Sequence, residues 1–162
     1  MNPPRIQPIA AEETHPLRHQ VLRPHQPRAA MAYAGDDAPG TLHLGLRDPS
    51  VEASHPGPVG IVSLYQEPIA PKAGLNHQPG DWRLRGMAVA PAHQGKGYGK
   101  RLVAAGLDAV RAAGATRVWC NARKTAVGFY QRQGFAAAGD PFDLPGIGEH
   151  FVMWIAVEPD HG

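Results

Sequence analysis

The sequence predicts a mixed α/β (α+β) domain with one curved central sheet flanked by helices, and three observations carry that expectation. Thr41–Arg47 alternates with period two and Val59–Tyr65 is rich in β-branched residues, so both read as strands around a Pro/Gly-rich connection. From Leu84 to Ala113 an apolar strand runs into a glycine-rich turn that opens an amphipathic helix. The 17 prolines and 19 glycines gather in connections such as 24–40 and 48–58, which leaves the periodic segments nearly free of breakers. At 162 residues the chain is long enough for one domain with a proper core and too short for two ordinary ones, so 1–162 is expected to be a single domain.

The elements follow in order. Arg5–Ile9 is a short opening strand, and Glu12–Leu22 a helix that Pro24 terminates. The two strands around 48–58 pair as a hairpin. Residues 66–80 are too many and too rich in proline for a tight turn, and are expected as a loop near the mouth of a site. Leu84–Val89 is the next strand. The helix from about Gly97 to Ala113 sets Leu102, Val103, Gly106, Leu107 and Val110 on one stripe, with Lys100, Asp108 and Arg111 off it. Gly114 supplies its C-terminal stop. Arg117–Asn121 reads as a strand, Ala126–Gln133 as a helix, and Phe135–Gly139 and Phe151–Val157 as two last strands.

Composition narrows the function. Lys and Arg total 16 against 14 acidic residues, and a net charge of +2 gives no case for nucleic acid, which needs a broad basic face with stacking aromatics. One cysteine, Cys120, excludes an internal disulfide framework, and no charged-then-apolar secretory segment opens the chain. No apolar run approaches the roughly 20 residues that cross a bilayer. A cytoplasmic protein without a membrane partner is expected.

The basic character is local, at Lys96, Lys100 and Arg101 around Gly95, Gly97 and Gly99. Glycines there let the backbone take positive φ and approach a ligand, while the first N–H groups of the helix point outward unpaired. Cations in a first helical turn oppose the helix dipole, so an external anion explains them better than helix stability does. The turn is no Walker A loop, because Gly99-Lys100 is followed by Arg101 and Gln94 stands where the first glycine belongs. It is no dinucleotide fingerprint, because Lys100 takes the place of the third glycine and no acid lies near Arg117.

Gln94-x-x-Gly97-x-Gly99 resembles the Gln/Arg-x-x-Gly-x-Gly/Ala pyrophosphate loop of the GNAT superfamily of acyl-CoA-dependent N-acyltransferases. Upstream, Trp82–Pro91 is similar to the family's fourth strand and the Pro-containing turn after it. Downstream, Arg117–Asn121 and then Ala126-Val-Gly-Phe-Tyr-Gln-Arg-Gln-Gly-Phe135 resemble its next strand and its Ala-x-x-x-Tyr-x-x-x-Gly-Phe helix and exit turn. The resemblance spans about 5–157 and implies an acetyl-CoA co-substrate and no metal. It implies that Gln94, Gly95, Lys96, Gly97, Tyr98, Gly99 and Lys100 hold the pyrophosphate. It further implies that backbone groups of Met87 and Val89 pair with the pantetheine arm as with an added strand, and that Ala126 and Phe129 border the coenzyme. Arg123 stands where the family often has Asn, and Asn121 is the candidate to take over that contact. Tyr130 occupies the position of the tyrosine that protonates the leaving thiolate; a phenol with a usual pKa near 10 is protonated at neutral pH and suits that task.

No base can be carried over. The family often holds a water on a glutamate near the fourth strand, where this chain has Arg83 and Arg85, leaving Glu67, His43, Glu149 and His150 as candidates. Arg83 and Arg85 themselves fit either a carboxylate- or phosphate-bearing substrate or simple pairing on an exposed face. His15 and His19 lie four apart without a carboxylate or cysteine to complete a metal set, so a solvated helix face is expected. Cys120 reads as a small buried side chain rather than an acyl carrier, and Arg18 and Arg23 as surface charge. The expected activity is transfer of an acetyl group from acetyl-CoA to a primary amine, small-molecule or peptide, by direct attack in a ternary complex. The alternative is an acyl-CoA-binding sensor that has lost the chemistry. A homodimer, a longer acyl donor and the identity of the acceptor stay open.

Overall fold

The computed structural model describes residues 2–159. Its strands are β1 (Arg5–Pro8), β2 (Leu42–Arg47), β3 (Gly60–Gln66), β4 (Asp81–Val89), β5 (Arg117–Arg123), β6 (Ala136–Leu144) and β7 (Gly148–Ala156). They form a seven-stranded mixed sheet in the order β1-β2-β3-β4-β5-β7-β6, open at both ends and flanked by helices, the α/β architecture expected. The helices are α1 (His15–Leu17), α2 (Tyr98–Ala112) and α3 (Val127–Arg132). The chain folds as two compact units, residues 1–65 with Gly86–Gly106, and Gln66–Arg85 with 107–162. Among the described residues no helix is long and apolar enough to cross a membrane.

In the first unit β2 pairs antiparallel with both β1 and β3, from Arg5 opposite Arg47 and from Leu42 opposite Leu64, which is the hairpin that the alternation predicts. The beginning of α2 lies close on β3. A Cβ on Gly60 would stand 2.8 Å from Leu102 Cδ1, and one on Gly106 3.2 Å from a Leu64 methyl, so glycine at both places sets the spacing of helix and strand. Leu102 and Val103 on the predicted stripe are buried.

The first helical segment winds unevenly. Ala11–Thr14 is a 3₁₀ turn, α1 follows with Pro16 in its first turn, and Arg18–Leu22 widens to a π-helix closed by the Arg23 N–H on the Arg18 carbonyl at 2.9 Å. The widening begins at Arg18, whose side chain has no exposed surface, so the expectation of surface charge is corrected. Its guanidinium donates to both Asp36 oxygens (2.7 and 3.0 Å), the Met31 carbonyl (2.8 Å), Ser63 Oγ (3.0 Å) and the Tyr65 hydroxyl (3.1 Å), and it lies 4.0 Å above the Tyr33 ring. Asp36 also accepts from the Tyr65 hydroxyl at 2.6 Å and the Tyr33 N–H at 2.9 Å. Burial pushes its carboxyl up, but these hydrogen bonds and the Arg18 charge outweigh it and hold the pKa at about 2. For Tyr65, burial first and the Asp36 hydrogen bond second push the phenol up to about 12. His43 completes the network with Nε2 on the Asp36 carbonyl (2.9 Å) and Nδ1 on Ser63 Oγ (2.7 Å). A carbonyl only accepts, so Nε2 carries the proton and Nδ1 receives the Ser63 hydroxyl.

In the second unit β5 is antiparallel to β7, and β7 to β6. The parallel ladder of β4 with β5 covers Asp81–Arg83 against Arg117–Trp119, although β4 runs on to Val89 and β5 to Arg123. α2 ends in a Schellman motif: the Gly114 N–H bonds the Arg111 carbonyl (3.1 Å) and the Ala115 N–H the Val110 carbonyl (2.9 Å), with Gly114 at φ +93°. β6 and β7 are both longer than the sequence suggests. Gly139-Asp140-Pro141 reads as a stop but is absorbed as an irregularity in the ladder between Ala138 and Phe142, after which Phe142–Leu144 pairs again with His150–Gly148. The segment between β3 and β4, expected as a loop at a site mouth, is pinned down. Asp81 accepts the Ile69 and Gln78 N–H groups at 2.9 and 3.1 Å, and Arg117 grips Asp81 at 2.8 and 3.0 Å while reaching the Asn76 carbonyl at 2.7 Å. Ile69 and Ala73 pack with Trp119 and Val152 beneath it.

Removing one partner of a buried ion pair leaves the other charge uncompensated, so Arg18→Met should lower the unfolding free energy by about 3–5 kcal/mol near neutral pH. The Asp36 pKa is depressed on folding from 3.8, so the pair contributes fully above about pH 4 and is lost as the pH falls toward about 2. Denaturant titrations should therefore show the gap between wild type and variant closing over that range, and a gap independent of pH would remove the ion pair as its cause.

Candidate functional site

The glycine turn has the conformation its sequence demands. After a 3₁₀ turn at Pro91–His93 the backbone passes through Gly95 at φ +82° and Gly97 at φ +80°, the left-handed region in which a side chain is strained. Among the described residues, the chain neighbours apart, nothing lies within 4 Å of where a Cβ on either would stand, so the turn faces open space. The Arg101 N–H bonds the Gly97 carbonyl at 3.1 Å, which makes Gly97 the N-cap of α2 and leaves the amides of Tyr98, Gly99 and Lys100 without partners inside the helix. No acidic side chain enters this first turn. Gln94, Gly95, Lys96, Gly97 and Lys100 are exposed and Gly99 half-buried.

Side chains hold the turn from behind, by contacts that the motif does not reveal. Tyr98 is buried, its ring stacked on His93 at 6.4 Å and its hydroxyl 3.5 Å from Asp48 Oδ2. Hydrogen bonds from Ser50 hold the Asp48 carboxyl below the usual range, with help from the Lys96 charge. The Lys96 ammonium lies 3.3 Å from His93 Nδ1 and donates to it. Tyr98 is thus an anchor whose phenol is turned into the protein. In β4, Met87 and Val89 are half-buried, and the Val89 carbonyl accepts from the Gln94 amide at 3.0 Å. Gly86, just before them, has φ +67°, and a Cβ there would stand 3.4 Å from Arg18 Nε and 3.6 Å from the Tyr33 ring.

The second unit carries the other candidates. Tyr130 in α3 is buried, edge-on to Phe129 at 5.1 Å and to Phe135 at 5.4 Å. Burial, and secondarily the charge that a Cys120 thiolate would bring, raises its pKa, so the phenol stays protonated at any physiological pH. Ala126 is the N-cap residue of α3, half-buried like Phe129. Asn121 is half-buried too, with Oδ1 shielded from solvent and without a hydrogen-bond partner. Cys120 is free and buried, as expected, and burial pushes its thiol up to about 12 despite the Arg83 charge.

The base candidates are divided. His43 is consumed by the Arg18 network, His150 is buried with Nδ1 on the Gly148 carbonyl at 2.8 Å, and Glu149 stands 4.0 Å from the Lys124 ammonium. Glu67 has its side chain 40 % exposed, as open as that of Glu149, and pairs with Arg83 at 3.1 Å. His19 contacts the Gln26 carbonyl at 2.9 Å, and no set of three or more metal-binding side chains gathers anywhere among the described residues.

Residues 8–135 match the Acetyltransferase (GNAT) family. The chain belongs to the GNAT family. A curated relative, the uncharacterized N-acetyltransferase YitI of Bacillus subtilis (strain 168), is 34 % identical over 149 residues, covering 92 % of this chain and 93 % of the relative. Among solved structures, an aminoglycoside 6'-N-acetyltransferase complexed with coenzyme A superposes with a TM-score of 0.71 at 11 % identity, covering 98 % of this chain and 99 % of that one. The ribosomal-protein-S18-alanine N-acetyltransferase of Escherichia coli gives 0.70 at 14 % identity, covering 96 % and 94 %. At these identities the structures show a shared GNAT fold.

A buried thiol with a raised pKa is a poor nucleophile in any GNAT protein. In the native chain, Cys120 should therefore resist iodoacetamide at pH 8 and alkylate fully once denatured, as read by intact mass; rapid native labelling would reopen it as an acyl carrier.

Proposed function

We propose that this chain is an acetyl-CoA-dependent N-acetyltransferase acting as one catalytic domain on a primary amine. The observation that carries the reading is the turn at Gly95 and Gly97. Two positive-φ glycines, empty space where side chains would stand, and a first turn of α2 without acids form a cradle that suits a pyrophosphate. The fit extends to Gln94, Lys96 and Lys100 at its rim and to the strand groups of Met87 and Val89, and Asn121 is the residue that would take over the contact of the family's Asn. Ala126 and Phe129 border the coenzyme by their place in the family motif. The coenzyme A complex of the aminoglycoside acetyltransferase that shares this fold supports the same ligand. A free, buried Cys120 suits a reducing cytoplasm.

In the proposed reaction the neutral amine nitrogen attacks the thioester carbonyl in a ternary complex. The N–C bond forms, the C–S bond breaks, and the departing sulfur takes a proton from the Tyr130 hydroxyl. The amine gives up one proton through water, which restores the phenol and balances the exchange. A raised pKa supports Tyr130 in this role, because a phenol that resists ionisation reaches each turnover protonated. Glu67 and Glu149, each 40 % exposed at the side chain, are the carboxylate candidates to relay the amine proton.

Gly97→Val should abolish coenzyme A binding measured by calorimetry, because a β-branched side chain is strained at φ +80° and would stand in the open cradle, while the strain stays within an exposed turn and the circular dichroism spectrum holds. Unchanged affinity would sink the pyrophosphate site. Tyr130→Phe removes only a hydroxyl, so acetyl-CoA affinity should hold while kcat falls about 10-fold to 10⁴-fold with any working amine. A wild-type kcat, where chemistry limits the rate, would hand the proton to water. Acetyl-CoA binding with no turnover on any amine would identify the sensor instead.

A further inference from the structure

Behind the glycine turn lies a buried imidazole that the proposed reaction does not use. His93 closes the 3₁₀ turn at Pro91–His93, and its ring stacks on Tyr98 at 6.4 Å and meets His55 edge-on at 6.2 Å. Nδ1 accepts from the Lys96 ammonium at 3.3 Å. An ammonium only donates, so the ring is neutral in this arrangement and carries its proton on Nε2. Lys96 itself is exposed at the rim of the cradle, where the same ammonium is within the turn that suits a pyrophosphate.

The ionisable neighbours of His93 come from three places. From the connection between β2 and β3, Asp48 lies within electrostatic reach of both His93 and Lys96, and its carboxylate is kept ionised by the Ser50 N–H at 3.0 Å and hydroxyl at 2.7 Å. His55, from the same connection, directs Nε2 at the Pro58 carbonyl at 3.1 Å, which places its proton there. From the turn comes Lys96. From the first turn of α2 come the Tyr98 phenol, which burial and the Asp48 charge keep protonated, the exposed Lys100, and Arg101, whose charge reaches Tyr98 and whose guanidinium donates to the Pro4 carbonyl at 3.1 Å.

While Nδ1 holds Lys96 it cannot take a proton, because its one lone pair is occupied and a cation stands against it. A bound pyrophosphate changes both conditions in the same direction. Its negative charge competes for the ammonium, which a flexible stem leaves free to swing outward. The vacated lone pair then has negative charge on the ligand and on Asp48 to offset the cost of an imidazolium in a buried place.

We infer that His93 is a positioning residue for the coenzyme, a proton-linked hold on Lys96. The pyrophosphate draws Lys96 off Nδ1, Nδ1 takes a proton from solvent, and the cradle meets its ligand with one positive charge more than the free protein carries. The inference rests on the pyrophosphate site of the acetyltransferase reading and adds a dependence on pH. Since the ligand raises the proton affinity of the ring, the gain in binding is fully present at low pH and is lost as the pH rises through the range in which the bound ring titrates.

The test is calorimetry on the full chain with dephospho-coenzyme A, whose pyrophosphate does not titrate between about pH 6 and 8, in buffers of different ionisation enthalpy; coenzyme A serves as the binding control. Native protein should take up protons on binding, with affinity about 3-fold to 10-fold higher at about pH 6 than at about pH 8. His93→Gln keeps an acceptor for Lys96 but cannot titrate, so the uptake should vanish and the affinity change by less than about 2-fold over that range. His55→Gln should retain the uptake. Lys96→Met should shrink it, because the cation that excludes the proton is already gone. Imidazole nitrogen shifts of the native protein need no variant: His93 should pass from protonated at Nε2 alone to protonated at both nitrogens when the ligand binds. No uptake by the native protein, uptake that survives His93→Gln or is unaltered by Lys96→Met, or a His93 ring that stays neutral with ligand bound would overturn the inference while leaving the pyrophosphate site standing. Failure of the native protein to bind either form of the coenzyme would overturn both.

Discussion

A cation with no exposed surface constrains the first unit more than any other single group. Placing a guanidinium out of reach of water is costly unless its donors are met, and Arg18 meets them at Nη1 and Nη2 with a carboxylate, a carbonyl and two hydroxyls, leaving Nε without a hydrogen-bond partner. That requirement accounts for local features that look unrelated. The helix widens to a π turn where Arg18 leaves it, the Tyr33 ring lies against the charge, and His43 adopts one tautomer because the Asp36 carbonyl can only accept. It also reaches the strand that carries Met87 and Val89. Gly86 takes a positive φ beside the guanidinium, where a Cβ would be in contact with Arg18 and Tyr33, so this point of β4 and the cation are neighbours.

The glycine turn obeys a different rule. There the backbone itself presents the chemistry, and side chains are excluded from the front and recruited at the back, where Asp48, His93 and Tyr98 fix the loop. Gln94 serves both ends of the arrangement, since its amide satisfies the Val89 carbonyl at the end of β4 while its own backbone enters the turn.

What can be read in advance follows from how local each cause is. The stripe of α2, its Gly114 stop and the β2–β3 hairpin depend on residues a few positions apart, and they stand where periodicity places them. The turn is legible because only glycine adopts its φ freely. Arg18 escapes a reading by sequence because its partners Asp36, Ser63 and Tyr65 lie 18, 45 and 47 residues away, and no window of sequence joins them. The anchoring of 66–80 is hidden for the same reason, as Arg117 is 36 residues from Asp81. The true length of β6 is masked by chemistry that imitates a turn, because Asp-Pro after glycine ends most strands. Tyr130 is visible through its motif, whereas the orphaned Nε of Arg83 and Oδ1 of Asn121 exist only once the strands are assembled.

That imitation of a turn has a consequence for how copies of the chain meet one another. β6 lies at the margin of the sheet, and a straight strand there would offer a row of unpaired amides to any passing chain. Pro141 withholds a donor, Asp140 adds a charge, and the break in register after Ala138 bends the row out of line. The margin is therefore a poor template for growth into fibrils, and a strand-by-strand dimer along β6 would have to step over the same interruption.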